Sequence, residues 1–283
     1  MAPERASARP PGEFGAYGLR LSNVERAKRF LAPARSTWPR VEIRRRFSEG
    51  DAAQEWLTDS KALLRLQTGG EIHLDRERGR ATYAVPRRLR SAELVHPFLA
   101  PVAAVMAYWL GRESFHAGAF VAGGRAWGVV GDRGSGKSTM MAALAVAGVP
   151  VLSDDLLVVE GGTAFTGPRA VDLRADAAAK LGVGESLGVV GARERWRLAL
   201  PVTEPEVPLG GWVFLGWGNG IEAVPVTASE RVVRLHAGRG INLPPRDPDA
   251  MLGLAALPAW ELRRPKAWSS AGDALDRLLE TVA

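Results

Sequence analysis

The chain has 283 residues, of which 46% are hydrophobic and 24% are charged, a composition typical of one large folded domain or two smaller ones. It contains no cysteine, which excludes disulfides and thiolate metal sites and favours a reducing compartment. The formal net charge of +6 makes nucleic acid a candidate partner.

The excess positive charge is confined to the first third of the chain. Residues 1–95 hold 19 Lys and Arg against 12 Asp and Glu, whereas residues 96–283 hold 18 against 19. The densest points are residues 44–46 and 87–90, where the aromatic residues do not alternate with the basic ones as they do on a surface that stacks nucleobases. This pattern disfavours nucleic acid and favours a solvated surface or a patch that binds an acidic partner.

Two segments bear on cellular location. The apolar run at residues 98–110 has 13 residues and contains Pro101, so it is too short to span a bilayer and predicts a buried helix. The N-terminal "MAPERASARPPGEF" lacks the hydrophobic segment of a secretory signal. We therefore expect a soluble, cytoplasmic protein with no membrane partner.

The N-terminal part predicts a small, strand-rich α+β region at residues 14–90, preceded by a disordered tail at residues 1–13 that is rich in Pro and Arg. The stretch "VEIRRRF" alternates apolar and polar residues, and "EIHLDRERGRATYAV" predicts a hairpin with its turn near Arg78 and Gly79. The basic residues 87–90 are then expected to link this region to a second domain at residues 91–283.

The sequence pattern of the second domain predicts an α/β fold. A helix is expected to begin at Pro101, and a hairpin around Gly123 and Gly124 is expected to lead into the loop "GDRGSGKST" and a helix at residues 137–147. The strands "RWRLALP" and "GWVFLGWG" follow, and then helices with a Thr227 to Glu230 capping box, an Asp247 cap and a terminal amphipathic face.

The loop matches the pattern G-x-x-x-x-G-K-[ST] at every fixed position. Glycines let successive backbone N–H groups turn toward an oxyanion, and the dipole of the following helix adds positive potential. The Lys reaches the β- and γ-phosphates and the Ser hydroxyl binds Mg²⁺. The residues predicted to bind the nucleotide are Gly131, Asp132, Arg133, Gly134, Ser135, Gly136, Lys137, Ser138 and Thr139.

Two adjacent carboxylates, Asp154 and Asp155, follow a short apolar strand in "VPVLSDDLLVVE". Buried carboxylates need partners, and Mg²⁺ held by Ser138 would supply one. One carboxylate can then hold the metal while the other meets a substrate hydroxyl. The alternative is a surface turn between two strands.

His116, the hairpin, "GDRGSGKST" and "LSDD" together resemble the catalytic core of HPr kinase/phosphorylase. That family carries its phosphate loop on a fold shared with ATP-dependent phosphoenolpyruvate carboxykinase. The resemblance covers residues 112–160 well and the rest only in the order of elements. It implies a P-loop core with a mixed sheet, beside the small strand-rich N-terminal region.

The resemblance also implies roles for individual residues. Lys137 and Ser138 hold ATP and Mg²⁺, and His116 lies near the transferred phosphoryl group. We expect Asp154 to be the base and Asp155 to be the partner of the metal.

The family has a further arginine that contacts the transferred phosphate, and Arg239 in "HAGRGIN" is the loose match to it. We interpret the other three histidines, His73, His96 and His236, as structural. Members of the family assemble as hexamers, so a homo-oligomer is expected from the resemblance alone, since no sequence feature carries it.

Two departures argue against HPr as the acceptor. The family's "EIRGLGI"-type signature is replaced by "GPRAVDLRADAAAKLG", and the basic N-terminal region differs from the usual N-terminal domain. The predicted function is a Mg²⁺/ATP-dependent phosphotransferase acting on a hydroxyl of a protein or peptide. A small-molecule kinase, a non-catalytic ATP-binding regulator and a nucleic-acid-associated NTPase are the alternatives, and the choice among ATP, GTP and pyrophosphate stays open.

Overall fold

The computed structural model describes residues 13–49 and 54–283, so the predicted tail lies outside the described residues except for Glu13. An eight-stranded sheet occupies the N-terminal third, in the order β3-β1-β2-β4-β8-β7-β6-β5. Its strands are β1 (Phe14–Ala16), β2 (Leu19–Ser22), β3 (Ala32–Pro33), β4 (Arg40–Phe47), β5 (Trp56–Leu57), β6 (Lys61–Arg65), β7 (Glu71–Asp75) and β8 (Arg80–Val85), with a 3-10 turn at Lys28–Phe30. The predicted strand at "VEIRRRF" and the predicted hairpin are both confirmed as β4 and β7–β8.

A helical segment crosses from this sheet to the rest of the chain. It consists of α1 (Ser91–Glu93), a π-helical turn (Leu94–Phe98) and α2 (Leu99–Trp109), so the helix begins two residues before the predicted Pro101. By length and composition Ser91–Trp109 resembles a membrane span, but two thirds of it is buried inside the protein. Its apolar side chains pack into the same core as the N-terminal sheet. The predicted buried helix is therefore confirmed.

The expected linker at residues 87–90 is fixed to this helical segment. Arg87 and Arg90 both pair with the fully buried carboxylate of Glu93, Arg87 at 2.5 Å and Arg90 at 3.5 Å. The backbone N–H of Arg90 also donates to Glu93, which caps the first helical turn. Part of the dense positive charge at this point therefore serves the fold.

The remaining elements form a mixed α/β body, as predicted. In chain order they are β9 (Glu113–Phe115), β10 (Ala117–Ala122), β11 (Arg125–Val130), α3 (Lys137–Val146), β12 (Val151–Ser153), β13 (Leu157–Glu160), β14 (Thr163–Phe165), β15 (Ala170–Leu173), α4 (Ala175–Leu181), β16 (Glu185–Val190), β17 (Arg193–Ala199), β18 (Glu206–Trp217), β19 (Glu222–Pro225), α5 (Ala228–Ala237), α6 (Pro248–Ala256), β20 (Ala259–Arg264), a 3-10 turn (Trp268–Ser270) and α7 (Ala271–Val282). The capping box at Thr227 and the cap at Asp247 are confirmed at the starts of α5 and α6.

One long strand, β18, organises the nine-stranded central sheet. It runs parallel to β11 on one side and parallel to β20 on the other, while its first residues pair antiparallel with β14. β10 and β11 form the predicted hairpin around Gly123 and Gly124. β15, β16 and β17 form a separate sheet of three strands. The carboxyl ends of β11, β18 and β20 consequently lie along one edge, which we call the strand-end edge.

Candidate functional site

The glycine-rich loop lies at the strand-end edge. It leaves β11 after Val130, and α3 begins at Lys137. Gly134 and Gly136 have φ of +88° and +85°, a left-handed conformation that glycine adopts without strain. A loop of this kind at the start of a helix directs backbone N–H groups toward a bound anion. The local geometry therefore suits an oxyanion such as a phosphate.

Two polar side chains of the loop are buried. Lys137 is 8% exposed, and its Nζ donates to the carbonyl oxygens of Gly131 at 2.5 Å and Asp132 at 3.3 Å. Burial lowers the pKa of Lys137, and nearby carboxylates, Asp154 foremost, act in the opposite direction. The hydroxyl of Ser135 is buried with no hydrogen-bond partner. The other predicted loop residues are exposed or half-buried, namely Gly131, Asp132, Arg133, Gly134, Gly136, Ser138 and Thr139.

The acidic pair lies in a bend directly after β12, and its two carboxylates differ in surroundings. Asp154 is 7% exposed, and one of its oxygens, Oδ1, has no hydrogen-bond partner. Burial, followed by the charge of Asp155, raises the pKa of Asp154 to about 7, while a hydrogen bond from Ser138 lowers it. Asp154 therefore lies beside the loop, next to the hydroxyl that was predicted to bind the metal.

Asp155 lies between two histidines. Its Oδ1 is 3.6 Å from Nδ1 of His116, and its Oδ2 is 3.4 Å from Nδ1 of His96. The His116 side chain is 56% exposed, so it faces open solvent beside the acidic pair. Our interpretation of His96 as purely structural misses this contact, since His96 sits in the helical segment far away in the sequence. Burial lowers the pKa of His96, and the charge of Asp155 opposes that shift.

Arg239 is held by another carboxylate. Its Nε and Nη2 each lie 2.9 Å from Oε2 of Glu113, and both side chains are 4% exposed. Its backbone forms a bridge with Phe115, and the N–H of His116 donates to the carbonyl of Gly238 at 2.7 Å. The guanidinium predicted to contact the transferred phosphate is therefore committed to Glu113. The loop around Arg239 instead fixes the backbone of His116.

One residue of the N-terminal sheet reaches the acidic pair. Tyr17 is 3% exposed, forms the turn between β1 and β2 with φ of +59°, and donates its backbone N–H to the carbonyl of Thr166 at 2.6 Å. Burial and then the charges of Asp155 and Asp154 raise the pKa of its hydroxyl well above the usual value, while a hydrogen bond with Ser153 lowers it. A side chain with a left-handed backbone is strained unless its surroundings hold it. The short "YG" turn in the sequence signals the hairpin but gives no sign of this contact.

The charged groups at the edge also bear on metal binding. Across residues 13–49 and 54–283, no group of three or more His, Asp and Glu side chains is arranged to hold a metal by itself. The Asp154 carboxylate, whose Oδ1 is unpaired, and the Ser138 hydroxyl that bonds to this carboxylate instead provide two hard oxygen ligands. Mg²⁺ prefers such oxygens and commonly keeps waters and substrate phosphates as its other ligands. The residues present therefore fit a Mg²⁺ ion that arrives with a phosphate ligand.

Comparisons with known proteins add little to this geometry. No protein-family model matches the sequence, and no curated protein is similar to it. Among solved structures, the HPr(Ser) kinase/phosphatase from Coxiella burnetii matches with 11% sequence identity and a TM-score of 0.30, covering 60% of this chain and 95% of that chain. This is a distant structural relationship, and it assigns no role to any residue of this chain.

Proposed function

We propose that this protein is a Mg²⁺/ATP-dependent phosphotransferase that moves the γ-phosphoryl group to a hydroxyl of a protein or peptide. The observation that carries the proposal is the unpaired, buried carboxylate oxygen of Asp154 beside Ser138, at the start of a helix that follows a G-x-x-x-x-G-K-[ST] loop. A buried carboxylate oxygen without a hydrogen-bond partner is costly in a folded protein, and such groups concentrate at functional sites.

The contacts favour a division of labour opposite to the one expected from the sequence. Asp154 is buried against Ser138, so these two residues are proposed to hold the metal. Asp155 is half-buried and lies 3.6 Å from the exposed His116, so it is proposed to meet the acceptor hydroxyl. Mg²⁺, when bound, would neutralise charge on the β- and γ-phosphate oxygens.

The protein's own groups then have distinct tasks in the transfer. The Asp155 carboxylate accepts the proton of the acceptor hydroxyl as that oxygen forms a bond to the γ-phosphorus. The bond from the γ-phosphorus to the bridging oxygen breaks, and ADP departs with the electron pair. Lys137 and the loop amides stabilise charge on the phosphate oxygens.

Two further residues are proposed to position the reacting groups. His116 orients the Asp155 carboxylate, and Arg239 contributes indirectly by pairing with Glu113 and so holding the backbone next to His116. The His116 side chain is 56% exposed. A macromolecular acceptor can therefore approach it from solvent. The site of action would be the cytoplasm.

The test follows label from γ-³²P-ATP with Mg²⁺ into macromolecules, small molecules and free phosphate, with fractionated lysate of the native host as the acceptor source. Label is expected in a macromolecular band. Asp155→Asn is expected to reduce transfer by about 10²–10⁴-fold, the usual contribution of a general base, with MgATP binding retained. Asp154→Asn is expected to weaken Mg²⁺-dependent ATP binding itself, which isothermal titration measures.

Each alternative predicts a different distribution of label. Label only in small molecules would replace the proposal with a metabolite kinase. Slow release of free phosphate alone, unchanged in Asp155→Asn, would contradict phosphotransfer and leave a nucleotide-dependent regulator. Stimulation by DNA or RNA with a steep salt dependence would instead indicate a nucleic-acid-associated NTPase.

A further inference from the structure

An aromatic side chain and two cations adjoin the loop. β18 ends at Trp217 and β20 ends at Arg264, and these two residues are direct partners in the parallel pairing of the strands. The Arg264 guanidinium lies 4.3 Å from the centre of the Trp217 ring, and the Lys266 ammonium lies 5.9 Å from it. We call these three residues the tryptophan platform.

The tryptophan platform contacts the last residue of the loop. Gly136 has no side chain, and a Cβ placed there would lie 3.0 Å from Nη2 of Arg264 and 3.6 Å from the Trp217 ring. Arg264 also donates to the carbonyl of Ser135 at 2.5 Å and to that of Gly216 at 3.1 Å. Anything bound across the start of α3 would therefore meet both the guanidinium and the indole.

Arg264 is a buried cation without a counter-ion among the described residues. It is 6% exposed, its hydrogen bonds go to backbone carbonyls, and burial alone lowers its pKa. A buried charge normally has an oppositely charged partner, because desolvation is costly. The neighbouring Ser135 hydroxyl is also buried and unpaired. A phosphate chain in the loop would satisfy both groups.

Trp217 presents the complementary surface for an aromatic ring. It is 44% exposed, although large aromatic side chains usually bury most of their surface. Its indole lies beside Arg264, and part of the ring surface stays open to solvent at the end of the loop. Nucleobases stack on such side chains with little dependence on sequence, because every base has a π face.

We propose that the tryptophan platform is the nucleoside subsite of the ATP donor, with the base stacked on Trp217 and the phosphate chain facing Arg264. This inference rests on the proposed function and gives a physical reason for a nucleoside triphosphate over an inorganic phosphate anhydride, a choice that the sequence left open. The loop alone would bind either kind of donor, since it contacts only phosphates. The tryptophan platform is what distinguishes them.

The experiment compares binding of ATP and of inorganic triphosphate, each with Mg²⁺, by isothermal titration. Wild-type protein is expected to bind ATP about 5- to 150-fold more tightly than triphosphate, the range set by one base stacked on an aromatic side chain. Trp217→Ala should bring the affinity for ATP close to that for triphosphate without changing the latter. Trp217→Phe should keep most of the preference, because a smaller aromatic face remains.

Trp56→Ala is a matched control, since Trp56 is also a tryptophan, 45% exposed, and lies in the N-terminal sheet. It should leave both affinities unchanged. Arg264→Gln should weaken both ligands by a similar factor, because its partner is the phosphate chain that they share. ATP should also quench tryptophan fluorescence in the wild type, and this part of the signal should be absent in Trp217→Phe.

The outcomes separate the inference from the proposed function. If wild type binds ATP and triphosphate equally, or if Trp217→Ala keeps the full preference for ATP, the tryptophan platform is not a base site and the inference falls while the phosphotransferase proposal stands. If neither ligand binds to the wild type with Mg²⁺, both fall together.

Discussion

The small three-stranded sheet and the strand-end edge each bury an arginine, and they treat it in opposite ways. In the small sheet, Arg197 lies directly opposite Asp172 across β15 and β17, with bonds of 2.6 and 2.7 Å, and both side chains are 2% exposed. At the strand-end edge, Arg264 is 6% exposed and bonds only to backbone carbonyls. The first arginine is neutralised by a carboxylate of the fold, and the second has no carboxylate partner among the described residues.

Both arginines have buried, unpaired polar atoms near them. In the small sheet these are Nη1 of Arg197 and Nε of Arg195, and beside Arg264 it is the hydroxyl of Ser135 in the loop. Native structures leave few such atoms unpaired. What distinguishes the two places is the counter-ion, since Arg197 pairs with Asp172 and no acidic side chain among the described residues pairs with Arg264. The three predictions below test this contrast, beginning with the largest expected effect.

Asp172→Asn is expected to lower the free energy of unfolding by about 3–5 kcal/mol, because it leaves the Arg197 guanidinium buried without its carboxylate. The corresponding fall in Tm is on the order of 10 °C for a chain of this size. Thermal and denaturant unfolding would measure it. Replacing both partners, Asp172→Leu with Arg197→Met, should recover most of the loss, and a double variant as unstable as the single one would contradict the explanation.

Asp154→Asn is expected to raise the Tm of the metal-free protein at pH 8 and to leave it nearly unchanged at pH 4. Burial raises the pKa of Asp154 to about 7 from 3.8, so between these values the folded protein keeps a proton that the unfolded chain has lost. The stability of the wild type therefore falls as the pH rises through this window, by a few kcal/mol in total. Asparagine does not titrate, so the variant escapes this loss.

Thermal melts from pH 4 to pH 8 in the presence of a chelator would test the pH dependence of the effect of Asp154→Asn on Tm. The difference in Tm between the variant and the wild type should grow across the window, and a difference that is constant with pH would contradict the assigned cause. Saturating MgATP should narrow the difference in Tm between the variant and the wild type at pH 8. The wild type gains about 2.7 kcal/mol at 100 times the Kd, whereas the variant lacks the carboxylate that is proposed to hold the metal.

Glu42→Gln is expected to have the smallest effect. It removes exposed ion pairs, in contrast to the buried pair of Asp172 and Arg197. Glu42 accepts from Arg44 at 3.0 Å and from Arg80 at 3.1 Å on the surface of the N-terminal sheet. Solvent already screens these charges, so the Tm should change by less than about 2 °C. A large fall in Tm would show that the basic surface of this sheet is structurally essential, and would weaken the contrast between buried and exposed ion pairs.

Local signals in the sequence predicted local structure well. The two glycines between β10 and β11, the glycines of the phosphate-type loop and the Thr227 capping box each act through residues close in sequence, and each is present in the structure. The same holds for the hairpin of β7 and β8. Turn and cap geometry depends on a few neighbouring φ and ψ angles, which explains why single-sequence patterns are enough here.

The parts of the candidate site that the sequence did not predict depend on distant pairing or on an irregular bend. Trp217 and Arg264 meet the loop only because β18 lies between β11 and β20, an arrangement that no local pattern specifies. His96 contacts Asp155 through the packing of the helical segment. The difference in burial between Asp154 and Asp155 arises at a bend after β12. The alternation of a regular strand no longer determines there which side chain is buried.

The turn at Tyr17 has a consequence for how this protein can be divided. The main-chain bond from Tyr17 to Thr166 and the bond from Arg112 to the carbonyl of Gly18, at 2.9 Å, fasten the tip of the first hairpin to the body that carries the loop. The buried Tyr17 side chain is also within electrostatic reach of the acidic pair. The N-terminal sheet is thus not an interchangeable module, because a chimaera with a different N-terminal region would lose both fastenings and the tyrosine near Asp154 and Asp155.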